Sequence, residues 1–246
     1  MFNDEQFPSG LLQGTRPVLK YAAACILAVM PLCSATAGEE EIKGERQYRQ
    51  AVEMLEPLDG MVMAMFNASR AGSPPEELDE RAAAISRLVA PAGEMLQEAS
   101  RFDHPIAQYR LALLHMSLMQ GTEDTCTLLN ESADHGFAPA AVLLAVECVP
   151  FETTARHMAQ LKKAPTEITR YTAYYPQPTV DLRCIPKRDE GLLLQLGQKE
   201  DYLAEIYKLL AERSGRNTPE RTQYLKQAVA ANGCIYAARR LERRRP

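Results

Sequence analysis

The chain has 246 residues, 46% of them hydrophobic, with 28 Lys and Arg set against 32 Asp and Glu for a formal net charge of −4. That acidic balance argues against nucleic acid as a partner, because a phosphate-binding surface needs a basic excess. The apolar share is enough for a continuous core in one domain-sized unit of about 200 residues.

Along the chain, Arg16 and Lys20 precede an apolar run over 21–33, and Ala35-Thr36-Ala37 follows with small residues at the positions a signal peptidase reads. This predicts a cleaved signal peptide over 1–37 and an exported mature chain from Gly38. The run falls short of the ~20 apolar residues that span a bilayer, so no stable membrane insertion is expected. Bulky Leu32 before Cys33, and the short apolar stretch before Cys25, argue against a lipid-attachment cysteine.

Export leaves Cys126, Cys148, Cys184 and Cys234 in the mature chain, an even number that predicts two disulfides among three connectivities. Cys126 and Cys148 lie on the helices before and after the His135-Gly136 turn, at nearly equal distances from it. Antiparallel helices place them side by side, which leaves Cys184 for Cys234. No pair has C-x-x-C spacing, so a metal site is not expected.

Helical spacing of Tyr48, Val52, Leu55, Val62, Met63 and Phe66 predicts a helix over 41–70, with a break near 57–60. A stop at 71–75 is followed by the acidic start Glu76-Glu77-Leu78-Asp79-Glu80 and a helix that Pro91 ends or kinks. Residues 92–102 then form a separate helix, and Pro105 opens the next, which Gly121 stops. Helices follow over 124–134, 137–147 and 152–164. From 165 to 188 the period fails, and Tyr171, Tyr174, Tyr175, Pro176, Pro178 and Pro186 mark a long loop tied down by Cys184. Helices return over 189–198, 201–213, 218–231 and 235–244. No strand pair is expected. The organisation is therefore 38–149, a divergent 150–188, and 189–246.

One segment recurs. Leu96, Ala99 and Ser100, a turn at Asp103-His104-Pro105, then Ala107, Gln108, Tyr109, Leu111 and Ala112 are matched 33 residues later by Leu129, Ser132, Ala133, the turn His135-Gly136, then Ala140, Ala141, Val142, Leu144 and Ala145. A third copy holds Leu225, Val229, Ala230, Gly233, Ala237, Ala238 and Leu241. The period is close to the ~34 residues of two-helix solenoid repeats.

Residues with chemical potential have plainer readings. His104, His115, His135 and His157 lack metal-binding spacing and read as turn and surface residues. No nucleophile elbow or phosphate-binding glycine loop is present, so no catalytic residue and no cofactor is expected. Met54, Met61, Met63, Met65, Met116 and Met119 read as core filling, with an adaptable binding surface as the alternative. Arg239, Arg240, Arg243, Arg244 and Arg245 read as favourable cations in a last helical turn.

The wording His104-Pro105-Ile106-Ala107-Gln108-Tyr109-Arg110-Leu111-Ala112, with the two further copies, resembles Sel1-like repeats, tetratricopeptide relatives found in exported bacterial proteins. The resemblance implies an all-α fold, an α/α solenoid of antiparallel helix pairs with an irregular Pro/Tyr-rich insertion. It also implies a periplasmic, non-catalytic protein-binding role. Exported proteins of this kind are similar to immunity proteins that neutralise lipase-type effectors of type VI secretion; the alternative is a scaffold in cell-envelope or exopolysaccharide assembly. The partner is then a protein, possible anchors being Arg170, Tyr171, Tyr174 and Tyr175, since Tyr and Arg are enriched at interface hot spots. Those tyrosines equally suit the closing of a hydrophobic stack.

Overall fold

A computed structural model of the protein describes residues 42–118, 121–148, 154–179, 182–185 and 195–243. The expected signal peptide and its cleavage site lie outside the described residues, as does most of the helix expected over 189–198.

The described chain is mostly helical: α1 (Glu45–Leu55), α2 (Leu58–Arg70), α3 (Pro75–Ser100), α4 (Pro105–Ser117), α5 (Thr122–Asp134), α6 (Ala138–Glu147) and α7 (Ala155–Glu167) precede a 3-10 helix (Ile168–Tyr174). Then come β1 (Gln177–Thr179), β2 (Gln195–Gly197), α8 (Lys199–Arg213), α9 (Pro219–Asn232) and α10 (Ile235–Glu242). From α3 to α10 each helix packs on the next, and α8 also reaches back to α6. No described helix is long and apolar enough to cross a membrane.

Local chemistry explains the starts and stops. Pro75, Pro105 and Pro219 occupy first turns, where their lack of an N–H costs nothing. Thr154 and Thr218 cap α7 and α9 by accepting the N–H groups of His157 and Arg221.

The turns of the repeat are built alike. His104 N–H donates to Ala99 O and Asp103 N–H to Ser100 O, while 33 positions on Phe137 N–H donates to Ser132 O and Gly136 N–H to Ala133 O. Both are Schellman closures, with Asp103 at φ 59° and Gly136 at φ 85° in the left-handed position. Leu96, Ala99, Ala107, Leu129, Ala133 and Ala140 are all fully buried where the helices meet. Small side chains there let the backbones approach closely, and the Ser132 hydroxyl donates to Pro105 O across the gap.

Three expectations are corrected. Pro91 does not end its helix: α3 runs through it, because packing on α1, α2 and α4 holds the segments on both sides at the cost of one backbone bond. The segment after α7 is ordered as a 3-10 helix, and β1 pairs antiparallel with β2, Pro178 facing Leu196. Residues before prolines are pushed out of the helical region, and Tyr175 and Gln177 both precede one, so extended chain results where no strand was expected. Finally, α2 has no buried residue, so Met61, Met63 and Met65 do not fill a core, whereas Met54 and Met116 pack against it.

Both disulfides join the expected cysteines. Cys126 and Cys148 bridge α5 to the end of α6 with Cα atoms 5.8 Å apart, and Cys184 bridges to Cys234 with Cα atoms 4.6 Å apart.

Candidate functional site

The aromatic segment after α7 reaches the start of α1 and the turns before α4 and α6, and the chemistry gathers there. Glu45 opens α1, where its carboxylate favours the helix dipole. It is nearly buried, yet Oε2 accepts from the Tyr174 hydroxyl at 2.6 Å and from His104 Nε2 at 3.0 Å, and Oε1 accepts from Arg49 Nε at 2.6 Å. Burial alone raises a carboxyl pKa, but the hydrogen bonds from Tyr174, His104 and Arg49 outweigh it and hold Glu45 below its usual value.

His104 caps α4: its Nδ1 accepts the Ala107 N–H at 3.1 Å. That contact assigns the ring proton to Nε2, which donates to Glu45. Burial pushes the imidazole pKa down despite the carboxylate beside it. The Tyr48 ring stacks on it at 4.8 Å between centroids, and Tyr174 meets it edge-on at 6.1 Å. His104 and His157 are therefore internal, not surface, residues; His157 Nε2 lies 2.9 Å from Ala141 O.

A second cluster adjoins the first. Phe137 meets Tyr109 and Tyr171 edge-on at 5.5 and 5.4 Å, and Tyr175 lies 5.9 Å from Tyr202. The hydroxyls of Tyr109 and Tyr202 both hold Pro178 O in β1, and Arg110 Nε donates to Gln177 Oε1 at 2.8 Å. Full burial pushes the Tyr109 hydroxyl up to about 12 and Tyr202 well above its ordinary value, so both stay protonated donors.

These contacts place the four expected anchors. Tyr171 is 1% exposed and donates to His135 O at 2.9 Å, closing the second repeat turn, so it is an internal residue rather than a surface anchor. Tyr174 and Tyr175 are half-buried, Tyr174 spending its hydroxyl on Glu45. Arg170 is exposed, its guanidinium 5.7 Å from the Tyr171 ring centre. Of the four, Tyr174, Tyr175 and Arg170 keep surface open to solvent, and Tyr171 does not.

Chemically the cluster braces the fold. The His104–Glu45 pair has the composition of a general base, but both ring nitrogens are occupied by the protein itself, leaving no lone pair for a substrate. Among the described residues no group of three or more His, Cys, Asp or Glu is placed to hold a metal. A cleft of about 430 Å³ opens between α7, α8 and α9, bordered by Lys162, Tyr207, Glu220, Tyr224 and Gln227.

Sequence reasoning did not foresee Glu45, Tyr48 or Tyr202. The His-Pro start of α4 marks His104 as a cap, yet nothing local reveals a carboxylate 59 positions away. No family model matches the chain, and no curated protein or solved structure matches it.

Proposed function

We propose that this protein is an exported, non-catalytic binder of other proteins, built as a Sel1-like solenoid, and that it serves as an immunity protein against a lipase-type effector of type VI secretion. The observation that carries the reading is the pair of Schellman turns 33 residues apart, each joining two helices through the same hydrogen bonds and buried small residues. Repeated helix pairs of this kind commonly present surfaces to partners. The two disulfides suit an oxidising compartment, in keeping with the leader and with the periplasm as the place of action. An inhibitor needs rigid shape rather than reactivity, and a stapled, internally braced stack offers it.

The test is survival. Cells lacking the gene are expected to be killed by effector-secreting siblings and rescued by the full chain. A form without residues 1–37 is expected not to rescue, and the toxin is expected in periplasmic pull-downs. Full resistance of the deletion strain, with no toxin co-purifying, sinks the proposal.

A further inference from the structure

From Val52 to Pro91 no side chain is buried, although half of the residues in this stretch are hydrophobic. It comprises the last turn of α1, all of α2 and the first part of α3. In α2 the ionisable residues are Asp59 and Arg70, and Met61, Val62, Met63, Met65 and Phe66 lie between them. A helix apolar on most faces needs cover on more than one side, and α3 is its principal neighbour. Phe66 is 49% exposed, and Met63 shares its face at helical spacing.

Charge singles out the occupant. Residues 52–91 hold seven carboxylates (Glu53, Glu56, Asp59, Glu76, Glu77, Asp79 and Glu80) against three arginines, so the charge of this stretch equals the whole net charge of −4. A second copy docked on the same face sets two acidic rims against each other, and anionic lipid repels it. Flexible methionines on a segment of net negative charge suit an amphipathic helix with a basic polar face.

We propose that the α2–α3 hairpin is a docking surface for a cationic amphipathic helix of a partner protein. This deepens the protein-binding reading above, and it stands whether or not that partner is a toxin.

The probe is a fluorescein-labelled 14-residue peptide of Leu and Lys in helical periodicity, titrated against the mature full chain, with a Leu/Glu peptide of the same pattern and a Leu/Lys peptide of scrambled order as controls. Binding to the periodic Leu/Lys peptide alone is expected. It should weaken at least ten-fold in a Met63→Glu/Phe66→Glu variant, and as much in a Glu76→Lys/Glu80→Lys variant, whose changed positions are exposed and leave the packing intact. Equal binding by both variants, or by either control peptide, overturns the proposal. So does a dimer, or adhesion to phosphatidylglycerol vesicles, that Phe66→Glu abolishes. Loss of sibling immunity with peptide binding intact leaves this surface standing, and the reverse result removes the surface while the immunity reading survives.

Discussion

His104 and Glu45 meet at 3.0 Å across 59 positions of chain, with the far nitrogen of the imidazole already occupied by the Ala107 N–H. One side chain thereby ends the first repeat turn, caps α4 and holds the start of α1. Replacing His104 by Ala removes a hydrogen bond to a charged acceptor and is expected to cost about 2 kcal/mol in urea unfolding. An unchanged midpoint would show the contact to be idle.

The same pair predicts sensitivity to acid. Burial holds His104 below its ordinary value of 6.5, so the unfolded chain takes up a proton that the folded chain resists, and stability falls as pH drops below about 6.5. Glu45 is depressed below 4.5, and its contribution, present above that value, is lost as pH falls through the folded one. Unfolding from pH 8 to 4 should give a declining midpoint for the native chain. A shallower decline is expected between pH 6.5 and 5 for His104→Asn, and identical profiles would count against the assignment.

Glycine at the second repeat turn does two jobs that substitution can separate. A Cβ at Gly136 meets Glu167 Cγ at 2.7 Å on a backbone of φ 85°, whereas at Gly233, φ 76°, it meets nothing within 4 Å. Gly233→Ala should cost about 1 kcal/mol from backbone strain, and Gly136→Ala measurably more in the same denaturant titration. Equal losses would mean that α7 yields freely. Ala107→Leu or Ala140→Leu, at fully buried crossings, should cost ~1–3 kcal/mol by overpacking.

Glu205 is a further expected weak point. Nearly buried, it accepts the Arg183 and Cys184 N–H groups at 3.0 and 2.9 Å and the Lys208 ammonium at 2.7 Å. Glu205→Ala strands two backbone donors and leaves buried Lys208 with Glu212, so a loss of about 3–5 kcal/mol is expected. Lys208→Met/Glu205→Leu should recover part of it; no recovery would mean that the backbone contacts dominate.

The two disulfides should differ in worth. Chain-entropy arguments give about 3 kcal/mol for Cys126–Cys148, separation 22, and about 4 for Cys184–Cys234, separation 50. Paired Cys→Ser variants compared in guanidinium test the order, and a reversed order contradicts that model.

Helices and staples were legible because their causes are local: prolines at first turns, small residues at crossings, and cysteines at nearly equal distances from a bend. What escaped was non-local. Pro91 looks like a stop until α3 is seen to have partners along its length. Tyr171 looks like an exposed anchor in a proline-rich stretch until it is found bonded to His135 O. Met63 and Phe66 carry a core pattern, yet the fold brings no described helix other than α3 extensively against theirs.

The acidic hairpin also bears on the rate of association. With the rest of the sequence summing to zero, the formal net charge at neutral pH is carried by residues 52–91, about a sixth of the chain. For the basic partner proposed above, the expected consequence is an association rate that falls steeply with added salt while the dissociation of a seated complex changes little.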